Sequence, residues 1–316
     1  MSSDRSKFAA EERVKNYLDS FISSSSPTVK QFPRVSCCKP SQSLYCKECC
    51  QLLLSKTELP FERPKLPFNL HLILDDRRGS STGIHAIALV SKEEHVYQIQ
   101  HKQARNEPIE NTSHHDLLGT TTLTDVEKLD PTDQSEILED ALKNYDETSN
   151  SEDGSSTYFL FPCPGESIPL EEVSTKVKNL IVLDCKWTKS GVWRRSERLR
   201  RIQKVHLSNP PRESHFWRWH NAGPGMISTI EAIYYASLEV YQCRYKQLLH
   251  SSSPQLLIDE CLKDETNLIH LLWLFAQQRL ATMEKAKEEG KAAPCCEDGK
   301  ELQRALRRRK ITWRPK

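Results

Sequence analysis

The chain lacks any apolar run long enough to cross a bilayer. Its longest, residues 268–276, is interrupted by His270 and falls well short of the roughly 18 residues a span needs. Residues 1–12 lack the apolar core of a secretory leader and mix charges of both signs, so the expected setting is a reducing one, the nucleus or the cytoplasm. A disulfide framework is not expected there, and the eleven cysteines are better read as metal ligands or free thiols. Apolar residues are also scarce, at 37% of 316 residues with a mean hydropathy of −0.63, which implies solvated insertions around one α/β core. A net charge of one sign is missing as well, but the overall +2 hides an asymmetry. Between Asn106 and Gly154, fourteen acidic residues face two lysines, Lys128 and Lys143, which leaves the rest of the chain basic.

What is present is an alternation of strand and helix patterns. Residues 8–21 have helical spacing and are followed by a serine run and Pro27, the pattern of a surface helix outside the core. Residues 70–74 and 84–90 have the character of buried strands, the second preceded by a Gly-Ser-Ser-Thr-Gly loop. Residues 106–156 have the composition of a mostly disordered insertion. Beyond it the pattern predicts a strand at 157–161, a helix at 169–178 and a strand at 180–183 that runs into Asp184. A helix over 190–204, a strand at 205–207 and a long helix from Ser228 follow. The expected fold is α/β, a mostly parallel sheet flanked by helices, with its ligand crevice at the carboxyl ends of strands, where Asp184 stands. The expected organisation is a helix and linker over 1–34, a cysteine-rich segment over 35–58, a catalytic domain over 59–250, and a helical region with a basic tail over 251–316.

Three constellations carry chemistry. Cys37, Cys38, Cys46, Cys49 and Cys50 crowd together, and Cys46-x-x-Cys49 has the spacing that turns two thiolates toward one tetrahedral zinc. Cys37 and Cys38 are adjacent and poorly placed to bind the same ion, so the fourth ligand is open, and free thiols under a loop are the alternative reading. Between Lys186 and Arg218, ten lysines and arginines face two glutamates, with Trp187, Trp193, Phe216, Trp217 and Trp219 in or beside the segment. Cations bind phosphate and aromatics stack on bases. Arg194, Arg195, Arg198, Arg201 and Lys204 fall along one side of the helix expected there, and a solvated cationic helix is the competing reading. Ser228 and Glu231 have capping-box spacing at the start of the long helix, a terminus that also suits an anionic ligand group.

Taken in order, Leu183-Asp184-Cys185-Lys186-Trp187, Phe216-Trp217-Arg218 and Ser228-Thr229-Ile230-Glu231 resemble the DTW-domain family. The match extends to Lys65-Leu66-Pro67-Phe68, Ser81-Thr82-Gly83 and Leu160-Phe161-Pro162, and is nearest to the first of the two eukaryotic tRNA-uridine aminocarboxypropyltransferase subtypes. The resemblance implies a knotted, SPOUT-like α/β fold. It also implies transfer of the 3-amino-3-carboxypropyl group of S-adenosylmethionine to N3 of a tRNA uridine in the D-loop region, with release of methylthioadenosine. By the same resemblance Asp184 and Trp187 are the catalytic positions. Thr82, Phe161, Pro162, Gly165, Ser228, Thr229 and Glu231 fall to the cofactor; Arg218 and, apart from the resemblance, Lys186 as a phosphate contact join the RNA-binding set. Two positions depart from the family: Lys186 replaces a threonine, and Val35 stands where a cysteine is usual. Lys186 places a cation beside Asp184, which favours the ionised acid. Asp184 is expected to assist loss of the N3 proton, and Trp187 either to stack on a base or to pack. A SPOUT-like RNA methyltransferase and a noncatalytic RNA-binding protein are the alternatives.

Overall fold

The structure, a computed structural model, describes residues 2–23, 44–46, 50–54, 59–74, 79–90, 96–101, 123–124, 156–186, 191, 193–194, 196–216, 226–251 and 253–291. The strands are β1 (Asn69–Leu74), β2 (Val96–His101), β3 (Leu123–Thr124), β4 (Ser156–Leu160), β5 (Ser167–Pro169), β6 (Val177–Asp184) and β7 (Lys204–His206). They form one sheet in the order β3-β2-β1-β6-β4-β7-β5, and every pairing is parallel. The helices are α1 (Ser2–Ser23), α2 (Ile84–Leu89), α3 (Leu170–Val173), α4 (Glu197–Arg201), α5 (Thr229–His250), α6 (Gln255–Asn267) and α7 (Trp273–Glu288), with a 3-10 turn at Leu268–Leu272.

The central strands are covered on both faces, which explains their nearly continuous apolar runs. Side chains alternate along a strand. Leu70, Leu72, Leu74, Leu180, Val182, Tyr158, Leu160 and Val205 therefore enter the main core beneath α2, α5 and the C-terminal helices. Ile73, Ile181 and Phe159 point the other way, into a smaller cluster covered by Trp193 and Leu199. Asp184 continues the alternation of Leu180 and Val182, and so faces the main-core side, opposite Leu74 in register. At the other end of the strands a buried polar ladder fixes that register. Asn69 donates to Asn179 Oδ1 (3.0 Å), His71 Nε2 lies 3.1 Å from the same oxygen, and Asn179 donates to Thr157 Oγ1 (3.2 Å).

Several expectations are corrected. Residues 84–89 are helical, because a short apolar run fits a buried helix as well as a buried strand and periodicity alone does not separate them. Helix α1 is part of the core: Val14 and Leu18 are fully buried in the main cluster. The helix expected over 169–178 is the single turn α3, since Val177 already belongs to β6. The helix expected over 190–204 is confined to α4, capped by Ser196 Oγ accepting from Leu199 N (3.1 Å). Within the acidic insertion, β3 and the start of β4 join the sheet, and the rest lies outside the described residues.

Candidate functional site

Asp184 ends β6 and is 5% exposed. Its Oδ2 accepts from the Ser81 hydroxyl in a short hydrogen bond and from Gly83 N at 2.9 Å. Its Oδ1 accepts from Thr229 Oγ1 at 2.8 Å. One carboxylate thus binds the end of β6, the loop before α2 and the first turn of α5. All these contacts are donations into the acid, the pattern of an acceptor-only carboxylate. Gly83 is required here by space, since a Cβ would stand 2.6 Å from Asp184 Oδ2 and 2.8 Å from Leu72 Cδ2. Thr82 is buried, and its hydroxyl accepts from Ile230 N at 3.3 Å, making a second tie between loop and helix.

The first turn of α5 is organised by Glu231, 1% exposed. Ser228 and Glu231 form the capping box, and Glu231 Oε2 accepts from Ser228 N (2.8 Å) and Ser228 Oγ (2.6 Å). The same carboxylate takes Ser214 Oγ (2.6 Å) and His215 N (2.7 Å). Glu231 therefore binds protein groups and shapes the helix start that Ser228 and Thr229 present. Past β4, the half-buried Phe161 ring lies 5.4 Å from Phe159 and 5.3 Å from Trp193, and Pro162 is exposed. Gly165, at φ +79°, turns the loop back toward β5, a backbone state that glycine adopts without penalty.

The basic residues divide into two groups. Lys186, Arg194 and Arg201 are exposed and Arg198 is half-buried. Arg201 pairs with Glu197, and Arg194 lies 5.6 Å from the Trp193 ring centroid. Lys204 is different. It is 6% exposed, its Nζ donates to Arg200 O (3.0 Å), pairs with Glu166 (3.5 Å) and sits 4.8 Å over Trp193. That ammonium is held by groups of the protein itself. Trp187, Arg195 and Arg218 lie outside the described residues.

Of the four expected zinc ligands, Cys37, Cys38 and Cys49 also lie outside them, and the described residues contain no cluster of metal-ligating groups. Cys46 is buried: Cys46 N donates to Gln51 O (2.8 Å), Tyr45 bridges Leu52, and Cys50 has φ +55°.

The DTW-domain family profile matches residues 75–280. The chain belongs to the DTW-domain family. Within it the chain is similar to tRNA-uridine aminocarboxypropyltransferase 1 of Xenopus tropicalis, at 25% identity over 218 residues, covering 65% of this chain and 68% of that protein. No solved structure matches. The DTW match contains Ser81, Gly83 and Thr229, the described residues that donate to Asp184. The structure brings together Asp184, Thr82 and Thr229, to which the sequence motifs point, and adds Ser81 and Gly83 as partners of Asp184. Both stand in the same Ser81-Thr82-Gly83 motif, which could have indicated them. Ser214, a partner of Glu231, has no local pattern that points to it.

Proposed function

We propose that this protein transfers the 3-amino-3-carboxypropyl group of S-adenosylmethionine to N3 of a tRNA uridine, in the D-loop region, at the carboxyl ends of β1, β4 and β6. The observation that carries this reading is the convergence of Ser81, Thr82, Asp184 and Thr229 from three separate segments at that edge, where parallel sheets bind ligands. Membership of the DTW family and the similarity to a tRNA-uridine aminocarboxypropyltransferase support the reaction class. The lie of β6, which follows β4 and β5 in the chain but sits between β1 and β4, supports a SPOUT-like arrangement.

The residues present fit such a donor. The buried Trp193 indole N–H finds no acceptor among the described residues, and its ring lies 5.3 Å from that of Phe161, so a ligand acceptor admitted there would satisfy it. When bound, S-adenosylmethionine supplies an electrophilic γ-carbon next to its sulfonium, and the transfer releases methylthioadenosine and the N3 proton. Half-buried Phe161 offers aromatic surface to the donor, and the first turn of α5 offers Ser228 and Thr229. We assign Asp184 the work of holding the loop and α5 in place, because both of its oxygens already accept hydrogen bonds from those two segments. Lys186, Arg194, Arg198 and Arg201 hold tRNA phosphates, with Arg195 and Arg218 as further members of that set and Trp187 beside the base. Cys46 supplies one corner of a structural zinc site completed by Cys37, Cys38 and Cys49.

Mass spectrometry of nucleosides from tRNA incubated with the protein and S-adenosylmethionine tests the reading. An aminocarboxypropyl adduct on uridine is the expected result. A methyl adduct would instead identify a SPOUT-like methyltransferase. No adduct with tRNA binding retained would leave a noncatalytic RNA-binding protein.

A further inference from the structure

Residues 207–216 leave β7 and return toward the start of α5 without joining the sheet or a helix. Backbone N–H groups in such a stretch need acceptors from elsewhere. Pro210 and Pro211 have none to place. Four of the others go to carboxylates: Ser208 N to Glu239 Oε2 (3.0 Å), Asn209 N to Glu239 Oε1 (2.8 Å), Arg212 N to Glu11 Oε1 (2.9 Å) and His215 N to Glu231 Oε1 (2.7 Å), while Phe216 N donates to Ser214 Oγ (3.1 Å). Glu231 and Glu239 stand about two turns apart on α5. Glu11 comes from α1, which lies outside the stretch matched by the family.

Helix α1 is anchored firmly enough to serve as a fixed post. Arg13 pairs with Glu265 (3.1 Å) and donates to the carbonyls of Glu265 (3.1 Å) and Thr266 (2.8 Å). The Tyr17 hydroxyl meets His270 Nδ1 at 3.2 Å, and Asp19 pairs with Arg279 at 3.6 Å. Burial holds the Glu239 carboxyl above its usual range, while the hydrogen bonds from Ser208 and Asn209 pull the other way. The segment strapped by these acids delivers Ser214 and His215 to Glu231, whose helix turn places Thr229 on Asp184 and Ile230 on Thr82.

We propose that Glu11 and Glu239 are positioning residues for the transfer reaction, holding residues 208–216 so that Glu231 keeps the first turn of α5 seated on Asp184. This rests on the function proposed above. Both act mainly as backbone acceptors, with the Ser208 side chain also bonded to Glu239, so the number of acceptor oxygens is what separates the two substitutions. Glu11 uses one oxygen and Glu239 uses two, so glutamine replaces Glu11 fully but Glu239 only in half.

The test uses the full chain with Glu11→Ala, Glu11→Gln, Glu239→Ala and Glu239→Gln. It measures kcat and KM with tRNA and S-adenosylmethionine, thermal midpoints, and amide hydrogen exchange over 208–216. A small misplacement of reacting groups lowers kcat steeply, so each alanine variant is expected to lose about tenfold in kcat, with faster exchange at Arg212 for Glu11→Ala and at Ser208 and Asn209 for Glu239→Ala. Glu11→Gln is expected near wild type and Glu239→Gln between wild type and alanine. Wild-type kcat in folded alanine variants, or glutamine as damaging as alanine at Glu11, would overturn the inference. If the alanine variants do not fold, the glutamine pair decides: Glu11→Gln above Glu239→Gln supports it, and equal values overturn it. If the wild type transfers nothing, the functional reading falls. The strap is then judged on exchange alone, where unchanged protection in the variants overturns it.

Discussion

The Thr229 hydroxyl donates to Asp184 Oδ1 across 2.8 Å, joining the first turn of α5 to a strand end 45 positions earlier in the chain. On the other oxygen, Ser81 and Gly83 bring in the loop before α2. Asp184 is therefore the point where strand, loop and helix are fastened together.

Replacing Asp184 by Asn puts an amide donor against at least one of those donors. Hydrogen bonds to a charged group contribute about 1.5–3 kcal/mol, so Asp184→Asn should lower stability by about 2 kcal/mol and weaken S-adenosylmethionine binding along with turnover. Calorimetric unfolding and cofactor titration check this. Loss of turnover alone, with stability and cofactor affinity intact, would return Asp184 to the role of proton acceptor.

Gly83→Ala meets Asp184 Oδ2 at 2.6 Å and Leu72 at 2.8 Å, in a helix-compatible backbone. The effect is steric. Overpacking of this kind costs about 1–3 kcal/mol, and chemical denaturation should register it together with a loss of activity larger than the stability loss explains.

Charge reversal at Arg194 and Arg198 should weaken tRNA binding and flatten its dependence on salt, because fewer counterions are released. Lys204→Met should leave that slope unchanged and lower the thermal midpoint, because the lysine is held by Glu166, Arg200 and Trp193. Binding isotherms at several salt concentrations separate the two behaviours.

Complete burial lowers the His85 pKa from 6.5 to about 3. Between those values the unfolded chain binds a proton that the folded chain refuses, so stability is full above about pH 6.5 and falls as the pH drops toward 3, by up to about 1.4 kcal/mol per pH unit. A His85→Gln variant should show a shallower loss over that window in pH-dependent unfolding. Equal slopes would mean that other groups carry the acid sensitivity.

Elemental analysis of the purified protein should find close to one zinc per chain, and Cys46→Ser should lower that content and the thermal midpoint together. Full zinc occupancy in Cys46→Ser would exclude Cys46 as a ligand.

Much of the site was legible because its residues stand in short motifs. The strand that runs into Asp184 and the Ser228-x-x-Glu231 box are both local patterns, and both formed as their spacing implies. The identity of residues 84–89 was not legible, because Ile84-His85-Ala86-Ile87-Ala88-Leu89 is apolar in either period and only its packing under the sheet selects a helix. Nor was the fate of Lys204. A cation at helical spacing from Arg194 and Arg201 looks like one more phosphate ligand until β7 begins at that residue and draws it beneath Trp193.

The amino-acid order by itself determined that strands would alternate with helices, that an acid would end a buried strand, and that Ser228 and Glu231 would start a helix. These follow from side-chain period, propensity and capping, which act over a few residues. Tertiary structure alone decided that Glu11 would reach Arg212 and that Ser81, Gly83 and Thr229 would share one carboxylate. Such partners are set by how the parallel sheet orders its strands and seats α1 and α5, and no local rule relates residues so far apart in the chain.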